Sequence, residues 1–529
     1  MRRESAFLIV LLIILLVSLS SAIEVQGVEA SGTIYIRADG SIDPPTASIQ
    51  RNGDLYTLTD NIESSEDGIV VMRNNTMVDG GDYTVHNNGT SYHPVGIDLT
   101  GTNNVTIKNL NVNAFYIGIQ LSSSDNNSMN GNTLTNNTEG IALSYSNNNS
   151  MSGNTIAQCA FFGVELLLSD NNSISANAFS DCGLFVEYSY ENVVADNLVN
   201  GKPLVYLEDV SDRVVEDAGQ VILVNCNRII VENSNLSHTT SGVELWQTNN
   251  TKISRNNITN TQSQGIYLYS SSNNSISENY MANNGNWGIH LTSSPNNSID
   301  GNNITDTSYC GIELDSSWYN SISRNNITNN GLGIYFAYSS NDSITENNIT
   351  NNAVVGIELI LNSIYNSISG NTIANNGYYG ISLQSDRRVL DSTDNTVFHN
   401  NFINNTVEVK SWTSERANIW DNGCEGNFWS NYNGTDLDND GVGDTYLPWE
   451  GVDNFPLMNV YWNPCDINHD LEVNRTDIDI SANAFGNRLG DTLWNPHANI
   501  TGPEPPVSDG KVDMRDIGLI ARYFGEHYS

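Results

Sequence analysis

Gly288-Ile289-His290-Leu291, Asn296-Asn297-Ser298-Ile299 and Asn303-Ile304 follow one another in a single stretch, and Gly311-Ile312-Glu313-Leu314 opens the same series again. The first phrase (Gly, Ile or Val, any residue, then a large apolar residue, usually Leu) recurs at Gly96, Gly118, Gly140, Gly163, Gly242, Gly265, Gly288, Gly311, Gly333, Gly356 and Gly380, with neighbours in each run 22 to 24 residues apart. Each period therefore holds three short strands. None is long enough to bury its own apolar face, so the stable arrangement stacks each period on the one before, with parallel sheets around an interior of Ile, Leu and Val. The Asn before each strand tolerates a left-handed turn, and its amide can ladder onto the rung above. The pattern predicts a mainly β fold, a parallel β-helix over residues 96–400, with an N-terminal cap and first coils at 32–95 and a C-terminal cap at 401–462.

Composition agrees and excludes other classes. The chain has 529 residues, with 60 Asp and Glu against 21 Lys and Arg, a net charge of −39, and 42 Gly. So few cations cannot neutralise a run of phosphates, which excludes nucleic-acid binding as a main role. About twenty Asn-x-Ser/Thr sequons fall inside the repeat phrases, so their number reflects the turns and says nothing of glycosylation.

The first residues set the compartment. Arg2 and Arg3 precede an apolar run from Phe7 to Val17, and Ser20-Ser21-Ala22 has the small residues of a cleavage site, so residues 1–22 read as a signal peptide. The run is shorter than the roughly 20 residues that span a bilayer, and no second such run follows. The expected location is extracellular, secreted or attached to the cell surface. Cys159 and Cys182 stand one repeat apart, and either a disulfide or a stack of buried thiols fits that spacing.

Stacking places equivalent residues in columns about 4.8 Å apart. The outward column of the first phrase contains Glu244, Tyr267, His290, Glu313, Tyr335 and Glu358, and the next outward column contains Trp246, Tyr269, Thr292 and Asp315. Trp246, Tyr267, Tyr269, His290 and Tyr335 thus form a candidate glycan face of flat apolar platforms among carboxylates. Glu313 and Asp315, two residues apart on one strand, would stand about 6.5 to 7 Å apart, within the range of an inverting glycosidase pair. They are the candidate catalytic residues if the protein is a polysaccharide-degrading glycosidase or lyase.

Calcium signals lie further on. Asp436, Asp438, Asp440, Gly441 and Asp444 make a D-x-D-x-D-G-x-x-D loop, whose alternating carboxylates suit a hard cation. From Cys465, the residues Asp466, Asn468, Asp470, Asn474 and Asp477 occupy calcium-loop positions, and a helix-like stretch runs from Ile478 to Gly486. The pattern returns in Asn499, Thr501, Asp509, Asp513 and Asp516. Residues 463–526 are similar to a type I dockerin, with Leu471 in place of the usual Gly and an insertion from Gly502 to Ser508. That resemblance implies calcium as cofactor and a cohesin-like scaffold protein as partner.

One segment breaks the period. Asn200-Gly201-Lys202-Pro203-Leu204, followed by Gly219-Gln220-Val221-Ile222-Leu223-Val224-Asn225-Cys226 and the flanking repeats, resembles the NosD-type β-helix domain, grouped with carbohydrate-binding and sugar-hydrolase β-helices, over about residues 70–460. The resemblance implies a right-handed helix at the surface or in the periplasm. It also implies an accessory role in copper handling, although the 8 His and 8 Met are spread without clusters. The expectation that results is an exported β-helix that binds polysaccharide and docks through its tail.

Overall fold

The computed structural model describes residues 32–383, 392–411, 418–438 and 440–461, and in the tail residues 472–473, 475–486, 517, 520 and 526–527. The three phrases stack into three parallel sheets, a solenoid of about 16 turns. The register is the one the sequence predicts: Ile289, Ile312 and Ile334 align on successive rungs, as do Leu291, Leu314 and Phe336, and all six are fully buried. The glycine that opens the phrase is a packing requirement. A Cβ at Gly311 would stand 2.7 Å from Ile327 Cγ2 and 2.8 Å from the carbonyl of Gly333 on the next rung.

At Gly201 the solenoid changes direction. Leu198–Val199 pairs antiparallel with Lys202–Glu208 across Asn200 and Gly201, whose φ angles are 50° and 79°. From there a second column of coils stacks in parallel through Gln220–Val224, Val243–Trp246 and Gln264–Tyr269 to Val407–Ser411. Successive side chains of a strand point to opposite faces, so Gln220–Val224 serves two cores. Val221 and Leu223 join the interior of the second column, whereas Ile222 and Val224 pack into the core of the first. A strand buried on both faces reads as an unbroken apolar run, which is why the VILV stretch departs from the repeat.

The same junction covers the end of the first column. Leu184–Glu187, its last strand in that sheet, has no following coil, and side chains of the second column take the place of one. Thr240 Oγ1 accepts from the Gly183 amide (2.9 Å), and Gln220 both accepts from the Leu184 amide (3.0 Å) and donates to its carbonyl (2.6 Å). Glu244 Oε1 accepts from the Val186 amide (3.2 Å). An otherwise open strand edge is thereby closed.

Asparagine ladders bind the rungs. The amides of Asn256, Asn279, Asn302, Asn325, Asn347, Asn371 and Asn400 each donate to Oδ1 of the corresponding Asn on the next rung, and Asn427 donates to Asp453, which ends the row. A parallel ladder carries one exception. Asp342 stands where its neighbours are Asn320 and Asn366; its Oδ1 accepts from Asn320 N (2.7 Å), and its buried Oδ2 has no partner. Burial raises its pKa from 3.8 to about 7, against the hydrogen bonds from Asn320, which lower it. A carboxyl whose folded pKa is raised contributes most below about pH 4 and loses that contribution as pH climbs through 7. Asp342→Asn should therefore stabilise the second column by on the order of 1–4 kcal/mol at pH 8 and change little at pH 4. Thermal melts of parent and variant at both pH values check this; equal melting at pH 8 would refute it.

Candidate functional site

The expected outward column exists. Ile222, Glu244, Tyr267, His290, Glu313, Tyr335, Glu358 and Ser382 align on successive rungs of one sheet. Its first members, and Trp246 in the neighbouring column, do not face solvent. Glu244 is 0% exposed, Tyr267 8% and Trp246 1%, because the last coil of the first column lies across them. Phe185 sits 6.4 Å from the Tyr267 ring, and Tyr188 meets Trp246 edge-on at 5.1 Å. Trp246 and Tyr267, expected as sugar platforms, are instead packing between the two columns. The Trp246 indole donates to Glu244, whose carboxyl is fully buried and held well above the usual carboxylate range by that burial. Tyr269 is half-buried, and its hydroxyl accepts from that of Tyr188 (2.7 Å).

The rungs beyond are more open. His290, Glu313, Asp315, Tyr335 and Glu358 are all half-buried. The His290 ring stacks on Trp287 at 4.7 Å and contacts Tyr267 at 5.1 Å. Its Nδ1 has no partner, and burial lowers its pKa to about 4, so it is neutral at physiological pH. Trp287 Nε1 donates to Glu313, and Tyr309 meets Trp287 edge-on at 5.9 Å. Burial raises the Glu313 pKa, opposed by the Trp287 hydrogen bond. Asp315 accepts from the hydroxyl of Ser316 (2.9 Å). The Tyr335 hydroxyl is also pushed up, by burial first and then by Tyr309, Glu313 and Glu358.

Trp287 and Tyr309 are absent from the sequence-derived set. The signal for Trp287 is the residue preceding each glycine: Gln264, Trp287, Cys310, Leu332, Val355 and Tyr379 pair rung to rung. Cys310, Leu332 and Val355 form a small apolar cluster with Trp287, Tyr335 and Tyr379, separate from both main cores. Across the corner, the first column contributes Glu139, Glu165 and Glu187, with Phe162 and Phe185 stacked at 4.7 Å. Burial, followed by Glu139 and Glu187, raises the Glu165 pKa to about 7. The whole surface combines aromatic faces with hydrogen-bonding carboxyl groups, a chemistry that suits hydroxyl-bearing ligands.

The acidic loop is a separate group. Carboxylate oxygens of Asp436, Asp438 and Asp444 lie within 4.8 Å of one another. Asp440, the fourth residue of the predicted set, turns back to accept from the Val442 amide (2.8 Å). Repulsion from Asp440 raises the Asp438 pKa, the effect of carboxylates gathered close together.

In the tail, one helix is described, Arg475–Ala484, beside an antiparallel pairing of Glu472–Val473 with Glu526–His527. Asp477 lies in the first turn of that helix and is buried. Asp466, Asn468, Asp470, Asn474, Asn499, Thr501, Asp509, Asp513 and Asp516, and the signal segment 1–22, lie outside the described residues. The paired-helix dockerin arrangement is thus not seen among the described residues. Cys159 and Cys182 are buried free thiols.

A family model described as "Periplasmic copper-binding protein (NosD)" matches residues 51–206, 205–358 and 331–434. The "Probable ABC transporter binding protein NosD" of Pseudomonas aeruginosa is 43% identical over 63 residues, 12% of this chain and 14% of that protein. Its counterpart from Stutzerimonas stutzeri is 41% identical over the same shares. The match therefore spans about one seventh of these curated relatives. Among solved structures, the A-module of the Azotobacter vinelandii mannuronan C-5 epimerase AlgE6 is 13% identical with a TM-score of 0.29, covering 66% of this chain and 89% of that one. The periplasmic alginate epimerase AlgG is 15% identical with a TM-score of 0.30, covering 72% and 84%.

The donors among the described residues do not assemble a copper site. Among the described residues, the one group of three or more His, Cys, Asp or Glu side chains with converging ligand atoms is the carboxylate loop, and carboxylates favour hard cations. Several described histidines are engaged separately: His86 with Asn113, His93 with Tyr92 and Tyr116, His238 with Asp181, His399 with Glu425 and His290 with Trp287. Thiolate is the ligating form of cysteine, and the Cys159 thiol is pushed far up by its hydrogen bond with Cys182 and by burial.

The junction makes its own test. Trp246→Ala should cost about 3–5 kcal/mol and loosen the contact between the columns. Hydrogen exchange at Leu184–Glu187 should then rise while that at Leu332–Ala337 stays unchanged. Unchanged exchange at Leu184–Glu187 would show that Trp246 does not hold the junction.

Proposed function

The chain belongs to the NosD family, and from that premise we propose that it is an exported β-helix protein, periplasmic or at the cell surface, that binds polysaccharide along the outward face of its second column. The observation that carries this reading is the row Trp287, His290, Glu313, Asp315, Tyr309 and Tyr335. Half-buried aromatic rings there stand beside carboxyls whose pKa is raised or whose hydroxyl partners are already oriented. Rings supply contact area without charge, and carboxyls fix hydroxyl orientation. No described helix is long and apolar enough to cross a membrane. The copper role is not part of this proposal, because the described donors do not assemble a site for it.

Glu313 and Asp315 support a second reading, glycoside hydrolysis. Glu313, with its raised pKa, would act as general acid, and Asp315, two residues along the same strand, as base on a water. Calcium binding at Asp436, Asp438, Asp440 and Asp444, and in the dockerin-like tail through Asp466, Asn468, Asp470, Asn474 and Asp477, completes the proposal, with a cohesin-like scaffold as the docking partner.

Two experiments test it. On a polysaccharide panel, Tyr335→Ala combined with Trp287→Ala should weaken binding by about tenfold or more, while Glu313→Gln should abolish release of reducing ends only if the hydrolytic reading holds. A double variant that binds every polymer as well as the parent would remove the face from consideration. For the tail, limited proteolysis of the full chain with and without a calcium chelator should cut residues 463–526 only in chelator, because a metal site formed in the native state adds its binding energy to folding. Identical digestion patterns would count against calcium.

A further inference from the structure

A second aromatic surface lies on the turns that follow the outward strands. Trp318, Tyr319, Tyr338 and Tyr365 are 42%, 58%, 47% and 52% exposed. Backbone hydrogen bonds fix their rungs: Tyr319 N donates to the Ser340 carbonyl, Tyr338 N to that of Leu361, and Asn341 N to that of Ile364. Tyr319, Tyr338 and Tyr365 therefore stand on three successive coils, with Trp318 beside Tyr319 on the first. At about 4.8 Å per rung the outer tyrosines are separated by roughly 10 Å along the solenoid axis.

These positions are costly for tyrosine. Tyr319, Tyr338 and Tyr365 have φ of 60°, 51° and 59°, in the left-handed region that disfavours bulky side chains and suits Asn. In the column of Tyr319 and Tyr365 the neighbouring coils respect this with Asn273, Asn296 and Asn341; in that of Tyr338, Ser270, Ser293 and Ser316 do, whereas Gln247 and, at the same turn of the first column, Tyr145, Leu168 and Tyr188 also place bulky residues there. Three consecutive coils thus give up the favoured turn residue for an exposed aromatic ring. Packing does not explain the exchange, since the rings are exposed, and strained backbone of this kind points to a role at the surface.

We propose that Trp318, Tyr319, Tyr338 and Tyr365 form a second binding surface, for a neutral polysaccharide chain lying along the solenoid axis. Tyr319 and Tyr365 share one column two rungs apart, and Tyr338 stands on the rung between them in the neighbouring column, so the rings border a strip about 10 Å long on which an extended sugar chain can lie. The chain's net charge of −39 disfavours an acidic polymer. The inference rests on the polysaccharide reading above and adds to it a location and a substrate class.

The test compares three proteins in pull-down with insoluble cellulose, β-1,3-glucan and xylan, and in affinity electrophoresis with alginate and polygalacturonate. They are the parent, the ridge variant Tyr319→Asn/Tyr338→Ser/Tyr365→Asn, and the face variant Trp287→Ala/Tyr335→Ala. The ridge variant restores the turn residue of the other coils, so its melting temperature should equal or exceed that of the parent. Its affinity for at least one neutral polymer should fall about tenfold. A ridge variant that binds like the parent, while the face variant does not, overturns this inference and leaves the face reading standing. A parent that binds none of the polymers overturns both, and a parent that binds only the acidic ones overturns the ridge assignment. Independently of any variant, bound neutral polymer should protect Tyr319, Tyr338 and Tyr365 of the parent from tetranitromethane, and unprotected tyrosines would also overturn it.

Discussion

Every coil of this protein leaves strand edges that only another backbone, or side chains imitating one, can satisfy. Each coil supplies acceptors and donors to the next, and at each turn the buried Asn does the same with its amide: Asn302, for example, accepts from Asn279 N, donates to the Ile276 carbonyl one coil back, and shares its Nδ2 with Asn325. An unsatisfied buried amide costs more than its bond contributes, so the ladder fixes both the coil length and the turn residue. The consequence is a stack in which any outward residue is placed by its position in the repeat. The places where the stack stops, at Leu184–Glu187 and at Asp453, are filled by side chains aimed at the edge.

Much of this was legible in the sequence, for a physical reason. A residue facing the interior meets the same environment on every rung, so selection for packing writes a period, and the period gave the register of Ile312 and Leu314 without further information. The junction obeys no period. Glu244 and Trp246 sit in outward columns by register, yet the first column ends on top of them, and nothing in a repeat records what a separate part of the chain will cover. The unbroken apolar run of Gln220–Val224 was the available clue, since a strand with one solvated face alternates and this one does not.

The tail shows a different limit. Its loop pattern is a statement about ligands, and ligand patterns do not depend on periodic packing, so the solenoid lends them no support. The helix Arg475–Ala484 begins with Asp477 in its first turn, where a carboxylate also suits the N-terminal end of the helix dipole. One residue therefore meets two demands, and the sequence pattern alone does not separate them.

Burial of acidic groups in so acidic a chain carries the last step. A solvated carboxylate face would repel its neighbours and hold water tightly. At the corner and along the second column the opposite trend holds: Glu139, Glu165, Glu187, Glu313 and Glu408 all have raised pKa values with burial as the largest cause. Burial lowers the polarity around these carboxyls and biases them toward the protonated form. A carboxyl donates as well as accepts once it is protonated, and burial moves each of these groups in that direction. The rigid rungs hold these groups before any ligand arrives, which limits the ordering cost of binding. A polymer with a repeat along its own axis is the ligand that such a row can meet many times with the same few contacts.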